Sequence, residues 1–286
     1  MELYTNDQIQ HQIKEGVSYL QFKLFEPYQD ILQHGITLRQ GGVSKGIYAS
    51  LNLRASSQDK RENVIQNMQK VCHVLDIDFH QLYKARQSHT DHILVLNQEN
   101  KEAYSYLSFS DACYDGYVYG QSGIATAILT ADCNPIILFD PVQKVVANVH
   151  SGWAGTIQKI YLKALQKMVQ EFHCLPQNIL VGVGPAIKKC CFSSEEESFK
   201  EKFTAIWENE EAYITYEEQT GNPSRFHIDL FYVIQQDLLK HGILPQHIAH
   251  MDICTKCHAQ DFFSYRDSRK QGYSDYGNIA CMAALR

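Results

Sequence analysis

The sequence predicts an α+β fold in which helices are layered against antiparallel hairpins. Three observations carry that expectation. Apolar residues recur at helical spacing in three segments, short β-branched runs occupy others, and those runs come in adjacent pairs instead of alternating with helices as a βαβ repeat requires. The first helix is expected over Asn63–Leu75, with Val64, Met68, Val71 and Leu75 in line. The second is expected over Thr156–Phe172, where Ile157, Ile160, Tyr161, Ala164, Leu165, Met168, Val169 and Phe172 form one continuous stripe. The third runs over about Leu230–His241, turning Val233, Ile234 and Leu238 inward, with Gly242 placed to cap its C-terminus. Strands are expected at Ile93–Leu96, Ile124–Leu129, Ile136–Phe139, Val145–Val149 and Ile179–Val183.

One domain spanning residues 1–286 is expected. No repeat or low-complexity linker interrupts the chain, and Glu195–Ser224, its most polar stretch, is too short to mark a boundary. A composition of 44% hydrophobic and 20% charged residues suits a globular protein with a real core. The net charge of −6 and the absence of a Lys/Arg cluster argue against nucleic acid or an anionic membrane as partner, because phosphate backbones reward clustered cations. The start, MELYTNDQIQHQIKEG, lacks an export signal, and no apolar window approaches the roughly 18 residues of a membrane span. Nine scattered cysteines in such a chain read as reduced thiols, and the cytoplasm as the location.

The stretch ADCNPIILFDPVQKVVANVHSGWAG carries the chemistry. Residues 141–144 link the runs Ile136–Asp140 and Val145–His150 as a hairpin. With Asp140 opposite Val145, His150 falls opposite Pro135, and Cys133 lies two residues further along the same face, within diagonal side-chain reach. A slip of one residue would put thiol and imidazole on opposite faces. Converging as they do, Cys133 and His150 suit zinc ligation, or activation of a cysteine nucleophile by a histidine base. Their bland alternative is a packing thiol beside a hydrogen-bonded strand end. Gly152 and Gly155 around Trp153 imply a sharp turn or a close backbone approach, and the helix start that follows suits an anion.

The string ADCNP…VHSGWAG resembles the ADC-P…HAGWRG core of the YfiH family, also called the laccase-domain or multicopper-polyphenol-oxidase-like family. Other segments fall in the same order: His34-Gly35-Ile36-Thr37-Leu38-Arg39 running into Gln40-Gly41-Gly42-Val43-Ser44, then Ser50-Leu51-Asn52-Leu53, Gln87-Ser88-His89, Asp115-Gly116, Gly184-Pro185-Ala186-Ile187 with Cys190-Cys191, Asp252-Ile253-Cys254-Thr255 and Phe263-Ser264-Tyr265-Arg266. The resemblance covers about residues 30–285 and implies a single-domain four-layer α/β/β/α sandwich. It implies a Zn2+ held by His89, Cys133 and His150, an open three-ligand site of the catalytic kind, with Cu2+ as a substitute. It further implies an intracellular enzyme acting on purine nucleosides. The activities implied are phosphorolysis of adenosine, inosine, guanosine and methylthioadenosine, and adenosine deamination. Nucleoside and phosphate are then the partners, and the oligomeric state stays open. In this reading Arg39 holds phosphate, Arg266 serves the same anion or the leaving base, and Asn52 and Asp132 hydrogen-bond the nucleoside or orient a ligand. Structural salt bridges and turn satisfaction are the alternatives for these four residues.

The chain departs from the family pattern at Ala154, Asp267 and Asn278, where arginines are usual, and at Tyr119 and the QSHT segment. Lost positive charge there puts phosphorolysis in question and leaves zinc binding untouched. An amidase-like cysteine or zinc hydrolase acting on peptidoglycan precursors, polyphenol oxidase activity from copper in place of zinc, and a non-catalytic nucleoside-binding module are the competing readings. A trinuclear copper oxidase is excluded by the lack of any His-x-His pair among 13 histidines. Cys254-Thr255-Lys256-Cys257-His258 spells a haem attachment motif, which is rejected for want of export. No second Cys-x-x-Cys completes a zinc site with it, so Cys254 is expected at a strand end and Cys257 is expected to be incidental.

Overall fold

The computed structural model describes residues 4–108, 110–217 and 225–286; the Thr220–Ser224 run at the end of the polar stretch lies outside the described residues. Two six-stranded sheets are stacked face to face. The first runs in the order Ile9–Lys14, Val17–Phe22, Leu32–Thr37, Ile279–Leu285, Ile124–Thr130, Leu82–Tyr83. The second runs Ile248–His250, Leu180–Val183, Asn134–Asp140, Val145–Ser151, Gly116–Tyr119, Ile93–Val95. Leu20, Phe22, Ile36, Ile128 and Cys281 of the first sheet meet Tyr117, Tyr119, Ile137, Phe139 and Val146 of the second in the central core. On the outer face of the first sheet, Met68 and Val71 of the helix Arg61–Val74 cover Ala127 and Met282. On the outer face of the second, Ile160, Tyr161, Ala164 and Met168 of the helix Ile160–Phe172, with Ile234 and Leu238 of Leu230–Lys240, cover Ile136, Leu138 and Ala147. The result is the expected helix–sheet–sheet–helix sandwich. A third, three-stranded sheet of Ser193–Ser194, Arg225–Ile228 and Ile214–Glu217 carries its own cluster around Phe203 and Trp207.

The predicted hairpin is present with its register: Asp140 pairs with Val145 and Pro135 with His150. Asp140 fixes the turn by accepting from the N–H groups of Val142 and Gln143 at 2.8 and 3.0 Å. The expected helix at 156–172 is instead two helices, Trp153–Ile157 and Ile160–Phe172, because Lys159 between them takes a left-handed φ of 54°. Pairing is not purely antiparallel, since Leu82–Tyr83, Ile93–Val95 and Ile248–His250 join their neighbours in parallel. Among the described residues no helix is long and apolar enough to cross a membrane.

His34 shows what the central core demands of a polar group. Its ring packs between Phe22 and Phe25 and its Nε2 accepts the Phe22 N–H at 2.8 Å, so it must be neutral. Burial pushes its pKa down to about 3. The unfolded chain therefore takes up this proton near pH 6.5 while the fold refuses it. Stability is lost as pH falls from there toward 3, on the order of 4 kcal/mol in all. His34→Gln keeps an acceptor and cannot titrate, so urea unfolding of that variant is expected to show a shallower decline between pH 6.5 and 4 than the parent.

Candidate metal centre

Three chain segments converge at the end of the Asn134–Asp140/Val145–Ser151 hairpin. His150 arrives on the strand. Cys133 arrives on the turn before the partner strand, where Asp132 adopts a φ of 89° that swings the thiol toward the histidine. That uncommon backbone is held from three sides. The Asp132 carboxylate accepts from the Thr255 hydroxyl at 2.6 Å and the Arg266 N–H at 2.7 Å, and its carbonyl accepts from the Ile187 N–H at 2.8 Å. His89 arrives on the Gln87–Thr90 loop, itself left-handed at φ 58°. Gln87 anchors that loop by exchanging two hydrogen bonds with the Leu129 backbone, like a ladder rung.

Asp115, fully buried, organises the whole group. It accepts from the backbone N–H groups of Ser88, His89 and Thr90, from the Thr90 hydroxyl, and from His150 Nδ1 at 2.8 Å. One carboxylate thus sets both the His89 loop and the His150 ring. A His150 that donates its Nδ1–H to Asp115 would offer the Nε2 lone pair to a metal, the arrangement in which a carboxylate supports a metal-bound imidazole. His89 Nε2 lies 3.7 Å from Cys133 Sγ, and one ligand atom from each of His89, Cys133 and His150 lies within 4.8 Å of the others. His150 is buried, Cys133 half-buried and His89 exposed, so the group is open on one side.

Gly152 explains how the three fit together. A Cβ there would stand 2.8 Å from Cys133 Sγ and 3.0 Å from His89 Cδ2, so no larger residue passes between them. This is the close approach that the paired glycines suggest. The short helix after it contributes nothing to the cavity wall described below.

The electrostatics follow from burial and proximity. Desolvation pushes the Cys133 thiol up, but the charge of His150 and hydrogen bonds from His150 and His89 outweigh it and bring it to about 7. Desolvation likewise opposes charge on His150, and Cys133 with Asp115 overcomes it, raising the imidazole to about 9. For Asp115 burial alone raises the pKa; His150 and Thr90 reverse this and hold it well below the usual carboxylate range. Two nitrogens and a readily ionised sulfur in mutual contact form a donor set that fits a borderline-soft divalent ion such as zinc.

The open side faces a cavity of about 680 Å3. His89, Cys133 and His150 form one part of its wall, Arg54, Lys84 and Arg86 bring positive charge, and Tyr106 and Tyr276 bring aromatic surface. The Arg54 guanidinium stacks 4.1 Å from the centre of the Tyr276 ring and is held by Asp275 at 2.5 Å. Burial brings the Lys84 ammonium down to about 8 against the opposing pull of Asp115.

The other residues singled out from sequence occupy different places. Asn52 is fully buried behind the wall, where its carbonyl accepts from the N–H groups of Arg54 and Asn278 at 3.0 and 3.1 Å. It positions two wall residues and does not face the cavity. Asp132 sits beneath Cys133 as described. Arg39 stands apart: three of its N–H groups donate to the carbonyls of Ala49, Ala259 and Ile47, and it lines a separate hollow with Asp267 and Tyr273. The Arg266 guanidinium donates to the Ser193 carbonyl and is absent from the cavity wall. Of the three positions where an arginine is usual, Asn278 lies on the wall and Ala154 and Asp267 do not. Sequence reasoning quoted Asp115 without giving it a role, and it passed over Arg54, Lys84 and Arg86. The reading of Cys257 as incidental is also corrected, because Cys190 and Cys191 bring it and Cys254 into a four-sulfur cluster.

Comparison with known proteins gives the family and the fold. Residues 33–286 match the family described as multi-copper polyphenol oxidoreductase laccase. Purine nucleoside phosphorylase LACC1 of Mus musculus is 30% identical over 243 residues, 82% of this chain and 52% of that protein. The chain therefore spans about half the length of the mammalian relatives it matches. A purine nucleoside phosphorylase of Bacteroides thetaiotaomicron is 29% identical over 254 residues, 86% of this chain and 90% of that one. The crystal structure of YlmD from Geobacillus stearothermophilus superposes with a TM-score of 0.85 at 25% identity, covering 98% of this chain and 100% of that chain. Bacillus licheniformis YfiH superposes equally well. With its layers, its ordered motifs and its matched length all in agreement, the chain belongs to the multi-copper polyphenol oxidoreductase laccase family.

Proposed function

We propose that this chain is a purine nucleoside phosphorylase centred on one zinc ion held by His89, Cys133 and His150, with Cu2+ able to replace it. The observation that carries the reading is the meeting of two imidazoles and one thiol on the wall of a cavity that also bears cations and aromatic rings. The nucleosides proposed are adenosine, inosine, guanosine and methylthioadenosine. A bound zinc would polarise an oxygen of phosphate or ribose. The protein's own groups do the rest. Lys84 and Arg86 hold phosphate at the cavity wall. Tyr276, stiffened by Arg54, offers a face to the purine. Asp115 keeps His150 in one tautomer and the His89 loop in one shape. In the reaction a phosphate oxygen bonds to C1′ of the ribose, the C1′–N9 bond breaks, and its electron pair leaves with the base, which takes up a proton. Free base and ribose 1-phosphate are the products, or 5-methylthioribose 1-phosphate from methylthioadenosine. Adenosine deamination is proposed as a second activity of the same cavity.

The test is phosphate-dependent release of hypoxanthine from inosine by the zinc-loaded protein; no release in the presence of phosphate would overturn the reading. Lys84→Ala is expected to raise the KM for phosphate by about tenfold or more, since it removes one charge-assisted contact. In the parent the same KM is expected to climb as the pH passes about 8, where Lys84 loses its proton. A hydrolase using Cys133 as nucleophile is the second reading, favoured by the lowered thiol pKa beside His150. Rapid alkylation of Cys133 in protein purified without added metal would support it.

A further inference from the structure

On the side of Asp132 away from the cavity, the chain gathers four of its nine cysteines. Cys190 and Cys191 end the loop after the strand Leu180–Val183, and Cys254 and Cys257 flank a tight turn more than 60 residues later. Their four sulfurs all lie within 4.8 Å of one another. Cys257 Sγ stands 3.6 Å from Cys190 Sγ and 3.5 Å from Cys191 Sγ. None is in a disulfide.

We propose that Cys190, Cys191, Cys254 and Cys257 bind a second, structural zinc ion as a closed tetrathiolate site. Four sulfurs each about 2.3 Å from a central ion in tetrahedral array stand about 3.8 Å apart, close to the spacing found here. A disulfide needs about 2.05 Å between two sulfurs and leaves two others unexplained. All-sulfur tetrahedral ligation selects zinc over magnesium or calcium, which require oxygen donors. The surroundings are those of a thiolate site. Cys254 is buried and is tied into the backbone of the facing segment by the Ala186–Cys254 bridge. Zinc with four thiolates carries two net negative charges, which the exposure of Cys190 and Cys257 leaves open to solvent. Cys190 and Cys257 are exposed, so the ion has an entry path.

The ion would act as a clip between two segments that the backbone already brings side by side. Ala186 bridges to Cys254, Thr255 N–H donates to the Ala186 carbonyl, and Thr255 and Ile187 both bond to Asp132. The clip therefore braces the turn that aims Cys133. This inference does not depend on the proposed activity or on the first metal.

The full chain, purified without added metal and counted by plasma emission, is expected to hold about two zinc ions, one lost in Cys257→Ser and the other in Cys133→Ser. Titration with Co2+ is expected to give intense sulfur-to-cobalt charge-transfer bands that persist in Cys133→Ser and vanish in Cys257→Ser and Cys191→Ser. A parent protein whose cobalt spectrum lacks a tetrathiolate signature would overturn the proposal even if the variants failed to fold. So would a disulfide joining Cys257 to Cys190 or Cys191 in zinc-replete protein. One zinc lost in Cys257→Ser and unchanged in Cys133→Ser would support the clip while sinking the His89–Cys133–His150 centre.

Discussion

Cys133→Ala is expected to abolish phosphate-dependent hypoxanthine release and to leave the fold nearly intact. The thiol is half-buried at the cavity wall, so its removal opens little space in the core and is expected to lower stability by about 1 kcal/mol. Its chemical role cannot be replaced by neighbours. It is the one soft anionic ligand of the three, and without it two imidazoles face an ion with most of its positions empty. Losing the electrostatic help of a bound metal, worth several kcal/mol, corresponds to a fall of roughly 1,000-fold or more in kcat/KM. The measurement is kinetic assay alongside zinc content, with circular dichroism to confirm folding. A folded Cys133→Ala protein that holds as much zinc as the parent and keeps more than a tenth of its activity would sink the assignment.

Asp115→Asn is expected to damage both stability and metal affinity, although it changes only one atom. The carboxylate accepts five hydrogen bonds, shared between its two oxygens. An amide offers one acceptor, and whichever way it turns its NH2 meets two or three N–H or O–H donors. Buried donors left without acceptors cost about 1–3 kcal/mol each where they cannot reach water, so a loss of about 3–5 kcal/mol is expected in urea unfolding. His150 also loses the partner that holds its tautomer, and zinc affinity measured by chelator competition is expected to fall by about 10–100-fold. If Asp115→Asn binds zinc like the parent, Asp115 does not organise the ligands.

The hairpin was readable because its link is short. A four-residue link joins two β-branched runs, and placing Asp140 opposite Val145 across it gives the pairing observed. The break in the helix at Lys159 was unreadable, because neither Gly nor Pro marks it and the apolar stripe runs straight across. The edge strand Ile9–Lys14, reading IQHQIK, was missed because half its residues face water and the apolar signal is thin. Arg39 looked suitable for phosphate because a glycine-rich loop suggests anion binding. In the structure the glycines instead bring backbone against backbone, as at Gly42, where a Cβ would meet the Ser50 carbonyl at 2.1 Å. The wall cations were invisible because Arg54, Lys84 and Arg86 belong to segments that only tertiary packing brings to one cavity. The sulfur cluster was hidden for a related reason: a Cys-Cys pair does not look like half of a zinc site until the partner turn is beside it.

The placement of Ile279–Leu285 has a bearing on how the molecule is made. This strand follows every other in sequence yet lies inside its sheet, paired with Leu32–Thr37 on one side and Ile124–Thr130 on the other. Until it is made and docks, those two neighbours present unpaired edges with a gap between them, the kind of surface that recruits foreign strands. Nascent chains stalled before residue 279 should accordingly bind holding chaperones and aggregate.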